Sequence, residues 1–129
     1  MNKNRKAFSL VEILIVVAVI ALLAAIAIPN LLRARVTGNQ SSAQATLKAI
    51  ANARETYAIA NGVYPSQTTS LIGAAPPYLN KDYFSSPFNG YNFAASITDY
   101  TYSVTALPVS SSTGTESYTI NTGGVLTTN

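Results

Sequence analysis

The sequence predicts an α+β protein in which one long N-terminal α-helix packs on a small antiparallel β-sheet. Two observations lead to this fold class. Sixteen consecutive apolar residues, 13–28, open a stretch that stays rich in helix-forming residues as far as Asn61. Beyond Pro65 the composition changes to Ser, Thr, Tyr, Gly, Pro and Asn, and apolar residues alternate with polar ones. The 129 residues suit one domain of ordinary size.

The first part of the predicted helix has the length and composition of a membrane span. Residues 8–28 number 21, which as an α-helix measure about 31 Å, close to the roughly 30 Å of a bilayer core. The leader before it, residues 1–7, is polar and basic. Because positive charge favours the cytoplasmic side, we expect the leader to stay in the cytoplasm and residues 29–129 to lie outside it.

The second part of the helix is amphipathic, with apolar residues at steps of three and four. They predict one stripe that packs on the sheet: Ala43, Leu47, Ile50, Ala53, Tyr57 and Ala60. Asn61-Gly62 is typical of a helix end, and Pro65 follows it. Pro29 and Gly38 are positions at which the helix is expected to bend or break.

Period-two alternation predicts three short strands, at 100–106, around 118–120 and around 125–127. Residues 121–124, Asn-Thr-Gly-Gly, are a turn between the last two strands. We expect residues 110–115 to form a flexible loop, because Ser, Thr and Gly dominate there. Residues 66–96 are expected to be an irregular connection with few regular elements.

The composition excludes several classes of function. The chain has no His and no Cys, which removes most zinc and transition-metal sites, redox thiols and the Ser-His-Asp and Cys-His nucleophile systems. The acids Asp82, Asp99 and Glu116 are scattered and lack an adjacent base, so we predict no enzyme activity. From Phe8 onward five cations balance five anions, and no nucleic-acid partner is expected.

Glu12 is the most unusual residue of the apolar segment. A carboxylate within a membrane helix costs about 2.5–3.5 kcal/mol on insertion scales. One interpretation is an acid that snorkels to the membrane surface and has no further role. The other is that Glu12 meets a positive group of another chain, for example a new α-amino group at Phe8 of a neighbouring copy.

The segment Lys6-Ala7-Phe8-Ser9-Leu10-Val11-Glu12-Ile13 resembles the class III signal of type IV pilins and type II secretion pseudopilins. The resemblance implies that the chain is cut between Ala7 and Phe8, that Phe8 becomes the N-methylated N-terminus, and that Glu12 is the family's fifth-position glutamate. Pro29 then matches the family's helix-breaking proline. The family usually has Gly where this chain has Ala7.

The resemblance further implies a pilin-like fold and a structural role in a filament. Residues 1–7 would be a cleaved leader, 8–28 a transmembrane and assembly helix, and 29–129 a periplasmic or extracellular domain that includes the amphipathic helix to about residue 61. Asn-Gly-Val-Tyr-Pro at 61–65 is similar to the start of the globular domain in major pseudopilins and short pilins.

The implied partners are further copies of the chain in a helical filament, a prepilin peptidase that also methylates, an inner-membrane assembly platform and a cytoplasmic ATPase. Before assembly the chain would be a single-pass inner-membrane protein. The sequence leaves open whether it serves a surface pilus or a periplasmic secretion pseudopilus.

Many major pseudopilins hold calcium with acids of a C-terminal loop. Here Asp99 and Glu116 are the only acids after residue 82, which is few for a site of six to eight oxygen ligands. We therefore predict no cofactor, with calcium at these two residues as a weak alternative.

Two other functions fit parts of the pattern. A membrane-anchored binding protein that never polymerises would keep the apolar helix and an intact Met1. A secreted protein with an ordinary signal peptide would be cut after Ala25-Ile26-Ala27. Glu12 inside the apolar region, Pro29 just after that cut and the continuing helix argue against the second alternative.

Overall fold

The computed structural model describes residues 7–129, and its longest element is one α-helix. This helix, α1, extends from Leu10 to Asn61 over 52 residues, which confirms the predicted long N-terminal helix. It passes through Pro29 without interruption, so the break predicted there is absent from this structure. Proline removes one backbone hydrogen bond of the helix, and the helical turns on both sides of Pro29 retain theirs. Residues 1–6, most of the predicted leader, lie outside the described part of the chain.

The chain divides into two compact units, an N-terminal unit that ends at Ala34 and a C-terminal unit that comprises Arg35–Asn129. In the N-terminal unit almost every described side chain is exposed. The most apolar 18-residue window of α1 has a mean hydropathy of 3.1 and no buried residue. Within residues 7–129, α1 is the one helix long and apolar enough to cross a membrane.

In the C-terminal unit, α1 buries one face. Ala43, Leu47, Ile50 and Ala53 are buried, as the apolar stripe predicts. The stripe ends earlier than predicted, since residues 59–61, the last turn of α1, are all exposed and Tyr57 is only half-buried. The buried face is also wider than the stripe and includes Thr46, Ala51 and Arg54.

The sheet has four antiparallel strands in the order β1-β2-β3-β4. They are β1 (Tyr91–Ile97), β2 (Tyr102–Pro108), β3 (Tyr118–Asn121) and β4 (Val125–Thr128), and a short helix, α2 (Thr69–Ile72), precedes them. Alternate strand residues join the buried face of α1 in one core: Tyr91, Phe93, Tyr102, Val104, Ala106, Tyr118 and Ile120. A long N-terminal helix and a small antiparallel sheet confirm the predicted α+β, pilin-like fold class.

The prediction of an irregular segment over 66–96 is wrong in part, because most of β1 and all of α2 lie there. Strand β1 carries small residues at Ala94, Ala95 and Ser96, which weaken its alternation. Its conformation is fixed by seven residue pairs with β2, from Tyr91 opposite Pro108 to Ile97 opposite Tyr102. The partner strand follows directly after the turn at residues 98–101, and the pairing itself adds no alternation to the sequence of β1.

Tyr100 was expected inside a strand and instead lies in the turn between β1 and β2. The Thr98 amide donates to the Thr101 carbonyl at 2.8 Å, which closes this turn. As a result the Tyr100 side chain is 76% exposed. The other predicted inward residues of this strand, Tyr102, Val104 and Ala106, are buried as expected.

The loop over residues 110–115, which is predicted to be flexible, is attached to α1 by two side-chain hydrogen bonds. Asn39 Nδ2 donates to the Thr113 carbonyl at 2.9 Å, and Gln40 Nε2 donates to Thr115 Oγ1 at 3.0 Å. Gly114 is buried against the Tyr91 side chain, and a Cβ at this position would collide with the Tyr91 hydroxyl. In this loop the small Ser, Thr and Gly residues allow close packing against the Tyr91 side chain and α1.

The turn between β3 and β4 is the predicted Asn-Thr-Gly-Gly segment. Gly123 and Gly124 have φ angles of +83° and +76°, a conformation that residues with a side chain rarely adopt. The Gly124 amide donates to the Asn121 carbonyl at 2.9 Å and closes the turn.

Candidate assembly site

The start of α1 is a reciprocal cap formed by Ser9 and Glu12. The Ser9 amide donates a hydrogen bond to Glu12 Oε2 at 2.7 Å, and the Val11 amide donates to Ser9 Oγ at 3.3 Å. In a capping box, a Ser and a Glu three residues apart satisfy amides that the first turn of a helix leaves without partners. The sequence interpretation missed this role of Glu12, although Ser9-Leu10-Val11-Glu12 is a readable S-x-x-E pattern.

The cap gives the Glu12 carboxylate a fixed place at the positive end of the helix dipole. It points back toward the residues before the helix, because its hydrogen bond goes to the Ser9 amide. A carboxylate can accept about four hydrogen bonds, so the cap leaves acceptor capacity for a further donor. Glu12 therefore has a partner within its own chain and still has room for a positive group.

The predicted cleavage residues lie immediately before this cap. Ala7 and Phe8 are outside the helix and exposed, and the Phe8 side chain is 84% exposed. The helix begins at Leu10, because Ser9 caps it. The junction of Ala7 and Phe8 is thus a non-helical, accessible segment next to the Glu12 carboxylate.

Beyond the cap, the N-terminal unit presents large apolar side chains to its surroundings. Val11, Ile13, Leu14, Val17 and Ile20 are each more than half exposed. A contiguous apolar surface of this kind marks a membrane or a protein contact. Small residues lie between the large ones, at Ala18, Ala21, Ala24, Ala25 and Ala27, and they allow other helices to approach closely.

In the C-terminal unit, Glu55 joins three segments that meet at the end of α1. Its carboxylate accepts hydrogen bonds from the Tyr64 hydroxyl, the Tyr102 hydroxyl and the Gly123 amide, each at 3.0 Å. Burial raises the pKa of the Tyr64 and Tyr102 phenols above the ordinary value, and the hydrogen bond to Glu55 raises it further. Glu55 does not belong to the apolar stripe, and the sequence around it carries no sign of this role.

Arg54 is fully buried, although charged residues are almost never fully buried unless they are paired. Its guanidinium carbon lies 6.0 Å from the centre of the Phe84 ring and 5.7 Å from the centre of the Tyr102 ring. Its three side-chain nitrogens have no hydrogen-bond partner among the described residues. Burial lowers the pKa of Arg54, with a smaller opposite effect from Tyr102. The Phe84 and Tyr102 rings thus lie within cation–π distance of this cation.

Asp99 and Glu116 have separate surroundings. Asp99 is exposed in the turn before β2, where its backbone carbonyl accepts the Tyr64 amide at 3.0 Å. The Glu116 carboxylate accepts the Tyr118 hydroxyl at 2.7 Å. Over residues 7–129 no group of three or more His, Cys, Asp or Glu side chains forms a metal site. Calcium at these residues stays an untested alternative.

Comparison with known proteins shows that the N-terminal sequence matches a known family motif. Residues 2–28 match the prokaryotic N-terminal methylation motif. The chain is 46% identical to the type IV wide pilus major component PilA4 of Thermus thermophilus over 70 residues, which cover 54% of this chain and 53% of that protein. It is 39% identical to the type IV major pilin protein PilA of Myxococcus xanthus over 80 residues, covering 62% of this chain and 36% of that protein.

A relative from a secretion system is also similar. The type II secretion system core protein G of Vibrio cholerae is 36% identical over 73 residues, which cover 55% of this chain and 50% of that protein. The matched segments thus span about half or less of these relatives. The chain carries the N-terminal methylation motif and resembles type IV pilins and type II secretion pseudopilins, as its sequence predicts.

Proposed function

We propose that this chain is a structural subunit, and not an enzyme, of a filament of the type IV pilus or type II secretion pseudopilus kind. One observation carries the proposal: an almost wholly exposed apolar helix starts at a carboxylate that is fixed by its own cap. A membrane accounts for the apolar surface alone. A filament accounts for both features, because copies of the helix can bury the surface and meet the carboxylate.

Processing would precede assembly. The leader, residues 1–7, would be removed by a prepilin peptidase between Ala7 and Phe8, and the new amine of Phe8 would be methylated. Residues 8–28 would anchor the subunit in the inner membrane, with residues 29–129 on the periplasmic side. An assembly platform driven by a cytoplasmic ATPase would then move the subunit into a periplasmic pseudopilus or an extracellular pilus.

Glu12 would set the register between subunits. After cleavage the Phe8 amine of one subunit would face the Glu12 carboxylate of its neighbour within the apolar core of the filament. At low dielectric an opposite charge at close distance interacts much more strongly than in water. Because desolvation offsets much of this attraction, the pair would act on alignment more than on net stability. The cap would keep the carboxylate aimed toward the residues that precede the helix.

Three variants separate the charge of Glu12 from its capping role. Glu12→Ala removes both, Glu12→Gln keeps a capping side chain but removes the charge, and Ser9→Ala weakens the cap but keeps the charge. We expect processed subunit at normal membrane levels in all three. We expect few or no filaments from Glu12→Ala and Glu12→Gln, and filaments close to wild-type number from Ser9→Ala.

The measurements are electron microscopy of sheared filaments, immunoblots of the membrane fraction and intact mass of the subunit from its native host. Wild-type subunit should have lost residues 1–7 and gained one methyl group. Abundant filaments from Glu12→Gln would contradict a role for the charge. An intact Met1 without filaments would favour a membrane-anchored binding protein, and loss of residues 1–27 would favour an ordinary signal peptide.

A further inference from the structure

The C-terminal unit has an exposed apolar surface at the end of α1. Ile59 is 86% exposed, Tyr100 is 76% exposed, and Val63 is 41% exposed. The hydrogen bond from the Tyr64 amide to the Asp99 carbonyl, at 3.0 Å, holds the segment after α1 beside the turn that carries Tyr100. We call Ile59, Val63, Asp99 and Tyr100 the head surface.

The head surface is also negative. The Asp99 side chain is exposed there, and the last turn of α1 contains no basic residue to balance the negative end of the helix dipole. A cation from outside this surface would therefore be attracted to it.

A complementary surface lies at the other end of the C-terminal unit, where Arg35 begins the unit and is exposed. Val109 is 51% exposed and follows β2, and its amide donates to the Gly90 carbonyl at 2.9 Å. The loop after Val109 bonds to Asn39, one turn of α1 beyond Arg35. We call Arg35 and Val109 the tail surface, which combines an exposed cation with an exposed apolar side chain.

The two surfaces of one molecule lie too far apart to meet. From Arg35 to Asn61 the helix advances 26 residues, which is about 39 Å at roughly 1.5 Å per residue. Their charges are opposite, and each combines its charge with apolar side chains. We propose that the head surface of one copy docks on the tail surface of another copy, with Asp99 facing Arg35.

This contact rests on the proposed function, and it gives the globular units of the filament an interface of their own. A head-to-tail contact joins two different surfaces, so it does not close on itself and continues from copy to copy. It is compatible with helix packing by the N-terminal units, because it uses no residue before Arg35.

Charge reversal tests the pairing directly. Asp99→Arg and Arg35→Asp should each lower the yield of sheared filaments at least about tenfold, because each places like charges in contact. The double variant should recover most of the wild-type yield, since it restores an opposite pair in reverse. Lys48→Asp is the matched control: Lys48 is exposed on the same helix, lies on neither surface, and should leave the yield within about twofold of wild type.

Cross-linking provides a second measurement, because the chain has no cysteine of its own. Filaments of Asp99→Cys/Arg35→Cys, treated with a short bismaleimide, should give a ladder of covalent oligomers. The helix from Arg35 to Asn61, about 39 Å long, separates the two surfaces within one chain, which is too far for a short bismaleimide. Each single variant should stay monomeric or nearly so.

The outcomes separate this contact from the proposed function. Absence of filaments from the wild-type chain would remove the proposed function and this contact with it. Wild-type filaments together with a normal yield from Asp99→Arg, or with no ladder from the double-cysteine variant, would overturn the contact alone. A strong dimer from Asp99→Cys alone would also overturn it, since that dimer requires a symmetric contact between head surfaces.

Discussion

The two parts of α1 belong to one helix, but the apolar side chains of the first part are exposed whereas those of the second part are covered by the sheet. In the part before Arg35, residues 13–28 are apolar on every side of the helix, and the most apolar window of α1 has no buried residue. The part after Arg35 carries a single apolar face, which the sheet covers. The comparison shows that an all-round apolar pattern requires partners outside the chain, whereas a one-sided pattern finds its partner within it.

The comparison predicts first that the two parts can be separated. A chain that begins near residue 33 should leave the membrane fraction completely and fold as a soluble monomer, since the C-terminal unit contains its own core. Size exclusion, amide spectra and thermal unfolding would check this. A broad, non-cooperative transition would contradict it.

The second prediction compares one leucine from each part. Leu47 is fully buried and Leu22 is 68% exposed. Leu47→Ala should lower the free energy of unfolding of the C-terminal unit by about 2–5 kcal/mol, because it leaves a cavity in the core. Leu22→Ala should change it by less than about 0.5 kcal/mol. Denaturant titration of the full chain in detergent would measure the free energy of unfolding of both variants. Equal losses from Leu47→Ala and Leu22→Ala would contradict the difference between the two parts of α1.

The third prediction concerns the buried cation that interrupts the apolar face. Arg54 loses its hydration on folding and receives no hydrogen bond in return from the described residues. Arg54→Met keeps a long side chain between the Phe84 and Tyr102 rings and removes the charge. It should raise the free energy of unfolding by about 1 kcal/mol, because an apolar replacement of similar size avoids the cost of burying the charge. A large loss of stability would mean that the ring contacts outweigh that cost.

The fourth and smallest effect is a pH dependence confined to the C-terminal unit. Burial raises the pKa of Tyr102 in the folded chain, whereas the unfolded phenol titrates near 10. Below about pH 10 both states keep the proton and the stabilisation is complete. As the pH rises further the unfolded state ionises first, so stability falls.

Thermal unfolding of the wild-type chain and of Tyr102→Phe between pH 8 and about pH 11 would measure this effect. The fall should be shallower in the variant, and part of it should remain, because burial also raises the pKa of Tyr64, Tyr91 and Tyr118. Identical profiles would exclude Tyr102 as a contributor.

The sequence predicted those elements whose information is local. The first part of α1 is marked by the apolar run of residues 13–28, its second part by a period of 3.6 residues, and strands β2 and β3 by a period of 2. Strand β1 was missed because its small residues weaken the period and its conformation depends on pairing with β2. The cap of Ser9 and Glu12 is present in the sequence as the four-residue pattern S-x-x-E.

The buried Arg54 had no local signal at all. A cation on an amphipathic helix is normally assigned to the solvent, and only the fold brings the Phe84 and Tyr102 rings over it. The head and tail surfaces are hidden for the same reason, since Asp99 and Arg35 become opposite ends of one unit only after the chain has folded.

The three hydrogen bonds of Glu55 also impose an order of events on a growing chain. Their donors lie 9, 47 and 68 residues further along, so the last donor, the Gly123 amide, is made 68 residues after Glu55. Until then the final turns of α1 lack one of the hydrogen bonds that attach Glu55 to the rest of the C-terminal unit. The N-terminal unit is made before all three donors. Under the proposed function it would therefore enter the membrane while the C-terminal unit still lacks these three bonds.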